Sequence, residues 1–151
     1  MSPPQATGEE LKGFRRTVTQ DRVNAYAGAS GDHNPIHLDE EFASTTRFGQ
    51  RIAHGMLSLA FVWEMMSINY PAKWHDGGTV KTRFTSPVVP GEEVTVHGSV
   101  KRVREVGGRQ FIECDVAVTR PTGEKALTGT ATVRWARRWS VDDSTHAGIL
   151  M

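Results

Sequence analysis

A chain of 151 residues with 38% hydrophobic and 23% charged side chains has the size and balance of one globular domain, which excludes a fibre or a disordered tract. Eighteen basic residues against seventeen acidic ones leave a net charge of +1, so nothing electrostatic argues for nucleic acid or an anionic membrane as partner. The single cysteine, Cys114, excludes an internal disulfide framework and a multi-cysteine metal site.

Met1 to Glu10 is polar and contains prolines, unlike a secretory leader. Phe14 to Thr19 reads as a short strand, and Thr19 can cap the helix that Val23, Tyr26 and Ala27 mark over Gln20 to Ala29. Ser30 to His37 reads as a loop because its Gly, Asn and Pro oppose regular structure. Asp39 to Ala43 follows as a helical turn with acidic residues at its start. His54-Gly55 then opens a helix to about Asn69, apolar nearly all round and expected to be buried on most sides. Its apolar stretch, Met56 to Ile68, is thirteen residues and includes Glu64, whereas a membrane span needs about twenty. A cytoplasmic protein is the expectation.

Everything after that helix alternates with the period of strands. Val80, Thr82 and Phe84 form one such run, Val94, Val96 and Val100 the next. Ile112, Cys114, Val116 and Val118 form a third, and Leu127, Ala131, Val133 and Trp135 a fourth. Cys114 therefore reads as a buried, inert thiol. Gly107-Gly108 and Pro121-Thr122-Gly123 are hairpin turns between these runs, and Val89-Pro90-Gly91-Glu92 is a type II turn. The expected architecture is α+β, an antiparallel sheet of about five strands with one buried helix on its inner face. One sheet cannot cover a helix that is apolar all round, so a second copy of the chain is expected to complete the burial. The domain is expected over residues 1–136, with a poorly packed tail at 137–151.

The candidate chemistry lies in Gly31-Asp32-His33-Asn34-Pro35-Ile36-His37, followed seventeen residues later by His54-Gly55-Met56. Pro35 is read as breaking any helix between Asp32 and His37. A loop can then turn both side chains toward one water, as acid–base catalysis requires. A helix starting at Gly55 presents unpaired N–H groups and a positive dipole end, and a glycine there admits a carbonyl oxygen that develops charge.

Ser30 to Asp39, together with Ile52-Ala53-His54-Gly55-Met56-Leu57, strongly resembles the MaoC-like hydratase/dehydratase family, most nearly its (R)-specific enoyl-CoA hydratases and 3-hydroxyacyl-thioester dehydratases. The resemblance runs from about Phe14 to Trp135 and includes Arg83-Phe84-Thr85-Ser86-Pro87-Val88. It implies a hot-dog fold, a homodimer, and reversible hydration of a trans-2-enoyl thioester carried by CoA or acyl carrier protein, without a cofactor. By the same resemblance Asp32 takes a proton from water, His37 helps supply one to C2, and the Gly55 N–H polarises the thioester carbonyl. Asn34 orders the loop or the water. Trp63 stands where some relatives have a serine, eight residues after the glycine, which places it in a reshaped acyl pocket.

Competing readings exist for each residue. Asp32 can cap a turn, and His37 can be a structural histidine. His54 is either part of the substrate-binding wall or structural, as an N-cap or a packed ring. Arg83, Lys101 and Arg102 could meet the phosphates of CoA or form a solvated strand face. A metal held by His33, His37 and the acidic residues 39–41 is disfavoured because Pro35 removes the helix that would align the histidines. The rival activities are a thioesterase of the same fold and a non-catalytic subunit.

Overall fold

The computed structural model describes residues 2–135. In chain order the elements are β1 (Phe14–Thr17), α1 (Gln20–Ser30), α2 (Pro35–Leu38), α3 (Glu40–Ser44), α4 (Gly55–Asn69), β2 (Thr79–Phe84), β3 (Glu93–Val106), β4 (Arg109–Thr119) and β5 (Lys125–Trp135). The strands form one antiparallel sheet in the order β1-β3-β4-β5-β2. The expected α+β arrangement, a long helix on a five-stranded sheet, is thereby met. The tail at 137–151 and the expected boundary at 136 lie outside the described residues.

The sheet's inner face carries Val94, Val96, Val100, Ile112, Cys114, Val116, Val118, Leu127, Ala131 and Val133, all buried. Against them α4 lays Leu57, Phe61, Val62, Met65 and Met66, and Tyr70 and Trp74 close the end beyond the helix. Cys114 is inside this core, 3.7 Å from the Tyr70 hydroxyl, and burial pushes its thiol up to about 11. A thiol held protonated in the core is inert.

Two sequence expectations need correction. Pro35 does not break a helix; it begins one. Its ring presets the helical φ at a position whose N–H would be unpaired anyway, and the Asn34 side chain caps the turn by accepting from Ile36 N at 3.0 Å. The helix α4 is also less buried than its composition suggested, because Met56, Ala60 and Trp63 form an exposed stripe, Met56 at 53% and Trp63 at 44%. Among the described residues no helix is long and apolar enough to cross a membrane.

At the β5–β2 edge of the sheet the strands approach closely. A Cβ built on Gly129 would stand 2.3 Å from the Lys81 carbonyl oxygen and 2.8 Å from Thr82 Cα. Gly129 faces Thr82 across the ladder, so a side chain there must displace β2 backbone rather than a flexible side chain. Gly129→Ala is expected to cost about 1–3 kcal/mol, the range of core overpacking. Thermal unfolding measures it; an unchanged melting temperature would show that β2 has room to move.

Candidate active site

The site is assembled by a chain of local bonds after α1. Gly31 ends that helix in the left-handed region at φ 78°, where a glycine is at no steric disadvantage. Asp32 N then donates to Ser30 Oγ at 3.2 Å, and Asp32 Oδ1 accepts from Asn34 N at 3.2 Å. These are the self-bonds that Ser and Asp make in turns, and they leave the other carboxylate oxygen free. Asp32 Oδ2 lies 4.0 Å from His37 Nε2. Asp32 thus performs the turn-capping role and also faces His37.

His37 hangs from α2 with its Nδ1 2.7 Å from the Ile52 carbonyl oxygen. A carbonyl only accepts, so Nδ1 carries the proton and the Nε2 lone pair faces Asp32. Burial lowers the ring's pKa below the ordinary histidine value, and the neighbouring His54 lowers it further, against upward pulls from the Ile52 carbonyl and the Asp32 carboxylate. The ring is therefore neutral at neutral pH, with Nε2 as a base.

His54 precedes α4 in the N-cap position but makes no capping bond through its side chain. Of its two structural readings, the packed ring is the one observed. The ring stacks on His37 with centroids 3.8 Å apart at 27°, and it lies 4.8 Å from the Tyr26 ring. Its Nε2 donates to the Asp32 carbonyl oxygen at 2.9 Å, tying the loop of Asp32 to the start of α4. Its Nδ1 is buried without a hydrogen-bond partner among the described residues.

Beside this stack is a cavity of 320 Å³ lined by His37, His54, Gly55 and Ser58 on one side, Phe84 to Val88 and Ala126 on the other, with Arg47, Phe48, Ile52 and Ala53. Gly55 opens α4, and its N–H has no protein acceptor among the described residues. A Cβ there would come within 3.2 Å of the Phe84 ring, so glycine keeps that donor approachable. The walls are joined by backbone bonds: Ile52 N donates to Ile36 O at 3.2 Å and Ala53 N to Val88 O at 2.8 Å. A larger concavity of 410 Å³ lies elsewhere, by His97, Asp115 and Thr128, and holds none of the residues singled out from the sequence.

His37, His54 and Gly55 are thus brought together at the cavity, with Asp32 behind them, facing His37 without lining the cavity itself, and three other assignments change. Asn34 spends its Oδ1 on the α2 cap and lines no part of the cavity. Trp63 belongs to the exposed stripe of α4, edge-on to Trp74 at 4.9 Å, away from the cavity. Arg83 is exposed and alternates with Phe84 along β2; since Phe84 turns toward Gly55, strand periodicity turns Arg83 to the other face. Lys101 and Arg102 are engaged with Asp115 and Glu113. The sequence reading overlooked Ser58, although a polar residue three positions after Gly55 in an apolar helix marks the same face one turn on.

Donor atoms of Asp32, His37 and His54 lie within 4.8 Å of one another, a group a metal could in principle use. Two of the imidazole nitrogens are committed to carbonyls, and rings stacked at 27° aim their in-plane lone pairs side by side instead of at one ion. The donor set fits acid–base work better than ligation.

Comparison with known proteins places the chain in a family and a fold. The family model described as MaoC like domain matches residues 3–121. A 3-hydroxyacyl-thioester dehydratase Z from Mycobacterium tuberculosis is 38% identical over 95 residues, covering 60% of this chain and 63% of that protein. The match therefore spans a little under two thirds of that relative's length. The (R)-specific enoyl-CoA hydratase of Rhodospirillum rubrum is 32% identical over 118 residues, 78% of this chain and 80% of the relative. The solved (R)-hydratase from A. caviae involved in PHA biosynthesis superposes with a TM-score of 0.76 at 30% identity, covering 87% of this chain and 98% of that one. The helix-on-sheet fold is accordingly the hot-dog fold, and the chain belongs to the MaoC-like dehydratase family.

Proposed function

We propose that the protein is a hydro-lyase that interconverts a trans-2-enoyl thioester and the (R)-3-hydroxyacyl thioester. The observation that carries this reading is the Asp32 Oδ2 to His37 Nε2 separation of 4.0 Å beside a cavity edged by the unpaired Gly55 N–H. One water donating two hydrogen bonds of about 2.8 Å sets its acceptors roughly 4–5 Å apart. Held this way, the water turns a lone pair to the substrate's C3.

The tautomer revises how the work divides. A neutral His37 with a bare Nε2 has no proton there to give, so the proton it supplies to C2 is one that it first takes. As the water oxygen bonds to C3, its O–H breaks toward His37 Nε2, and the C2–C3 π pair moves into an enolate at the thioester. The Gly55 N–H stabilises that oxygen. His37 Nε2 then returns the proton to C2 and the carbonyl re-forms. Asp32 holds the water's second hydrogen and offsets the transient imidazolium charge. Dehydration runs the same steps backward. No step calls on a metal or a redox cofactor.

Asp32→Asn keeps the shape and removes the charge; kcat for hydration is expected to fall at least about a hundredfold with the fold intact. Hydration needs neutral His37, whose pKa is lowered, so the acid limb of kcat/KM should lie below about pH 6.5, the ordinary histidine value. Asp32 pulls that pKa upward, hence its loss should move the limb to still lower pH. Loss of the conjugated thioester absorbance across a pH series measures both effects. Near-full activity in the variant would leave Asp32 as a turn cap only.

We also infer that two copies pair through α4. Support comes from the exposed stripe of Met56, Ala60 and Trp63, with Ile68 also exposed near the end of the helix, since a continuous apolar face is a feature of interfaces. Light scattering at micromolar concentration is expected to give a dimer, and Trp63→Glu a monomer. A monomeric wild type would contradict the inference.

A further inference from the structure

We propose that Arg120, which does not line the cavity, is a positioning residue for it, acting through Ser86. Arg120 and Glu92 form a two-pronged pair, Nη2 to Oε1 at 2.8 Å and Nε to Oε2 at 2.9 Å, with only 13% and 17% of their side chains exposed. Such paired charge-assisted bonds fix direction as well as distance. From this base the pair grips the cavity wall at two points. Arg120 Nη1 donates to Ser86 Oγ at 2.8 Å, and Glu92 Oε1 accepts from Val89 N at 3.3 Å. Ser86 Oγ in turn donates a hydrogen bond to Glu124 Oε2 at 3.1 Å, so this hydroxyl both accepts and donates.

Between those grips lie Pro87 and Val88, which line the cavity with Ser86. The Val88 carbonyl in turn accepts from Ala53 N at 2.8 Å, immediately before His54 and Gly55. The wall has no strand partner of its own over this stretch, because β2 ends at Phe84 and β3 begins at Glu93. Its position depends on the grips together with the Ala53 N bond to Val88 O and the burial of the Val88 side chain. With the clamp closed, the wall holds a thioester against the Gly55 N–H. With it open, the substrate is held less well while the Asp32–His37 pair is untouched, so the effect falls on binding rather than on proton transfer.

This inference rests on the cavity being the thioester site. Arg120→Gln is expected to raise KM for an enoyl thioester about tenfold, the scale of one charge-assisted hydrogen bond, with kcat changed less than about threefold. Ser86→Ala should do the same more mildly. The deciding measurement is the double-mutant cycle: if Arg120 acts through Ser86, the combined KM falls well short of the product of the single effects. A fully multiplicative cycle, or a lowered melting temperature with unchanged KM, overturns the proposal. Should Arg120→Gln fail to fold, Arg120→Lys enters the same cycle, since lysine keeps the charge but cannot fork. A wild-type protein that turns over no enoyl thioester would instead refute the assigned function, and so the two failures are distinguishable.

Discussion

A fifteen-residue helix with a mostly apolar surface must be covered, and the rest of the fold is arranged around that requirement. At the β2–β5 ladder the backbones approach so closely that Gly129 has no space for a side chain. The end of β2 places Phe84 and the wall that follows it by the N-terminal end of α4. That end is where the helix has donors it cannot satisfy itself. The burial that stabilises the chain thus leaves its unpaired N–H groups at the mouth of a cavity, and one stripe of the helix still uncovered.

The electrostatics of the site follow from how its two histidines are held. Burial and stacking oppose a charge on His37, while Asp32 and the Ile52 carbonyl favour it. The balance lies on the neutral side, and a carboxylate stands ready when the ring takes a proton. An exposed histidine would lack the first property, and one buried without Asp32 would lack the second. His54 connects this balance to the N-terminal end of α4, with one nitrogen on the Asp32 carbonyl, its ring on His37 and its backbone leading into Gly55.

Much of this was legible in the sequence because it depends on periodicity or on local turn chemistry. The four alternating runs and the helix opening at His54-Gly55 report directly which face is buried, and three bonds between residues two apart, Ser30–Asp32, Asp32–Asn34 and Asn34–Ile36, give the loop its turns. What was not legible depends on placement in three dimensions. Pro35 could be read as a helix breaker or as a first helical residue, and only the Asn34 cap decides. Trp63 was assigned through likeness to relatives and Arg83 through its charge, but helix and strand geometry turn both away from the cavity. Arg120 has only Glu124 as a local partner, and the residues through which it reaches the wall, Glu92 and Ser86, are 28 and 34 residues distant.

The candidate site draws on three stretches of chain, residues 32–37, 52–58 and 84–88, that no single element carries. They are joined by backbone or side-chain bonds to backbone carbonyls: His37 to Ile52, His54 to Asp32, Ile52 to Ile36 and Ala53 to Val88. None of these joints requires a particular side chain at its accepting end, because every residue has a carbonyl. The donors are more constrained, and two of the four are the histidines themselves. The same imidazoles that could perform or orient the proton transfer therefore also assemble the surfaces between which it takes place. In this architecture catalytic geometry and local folding are one set of hydrogen bonds, so replacing either histidine should disturb both at once.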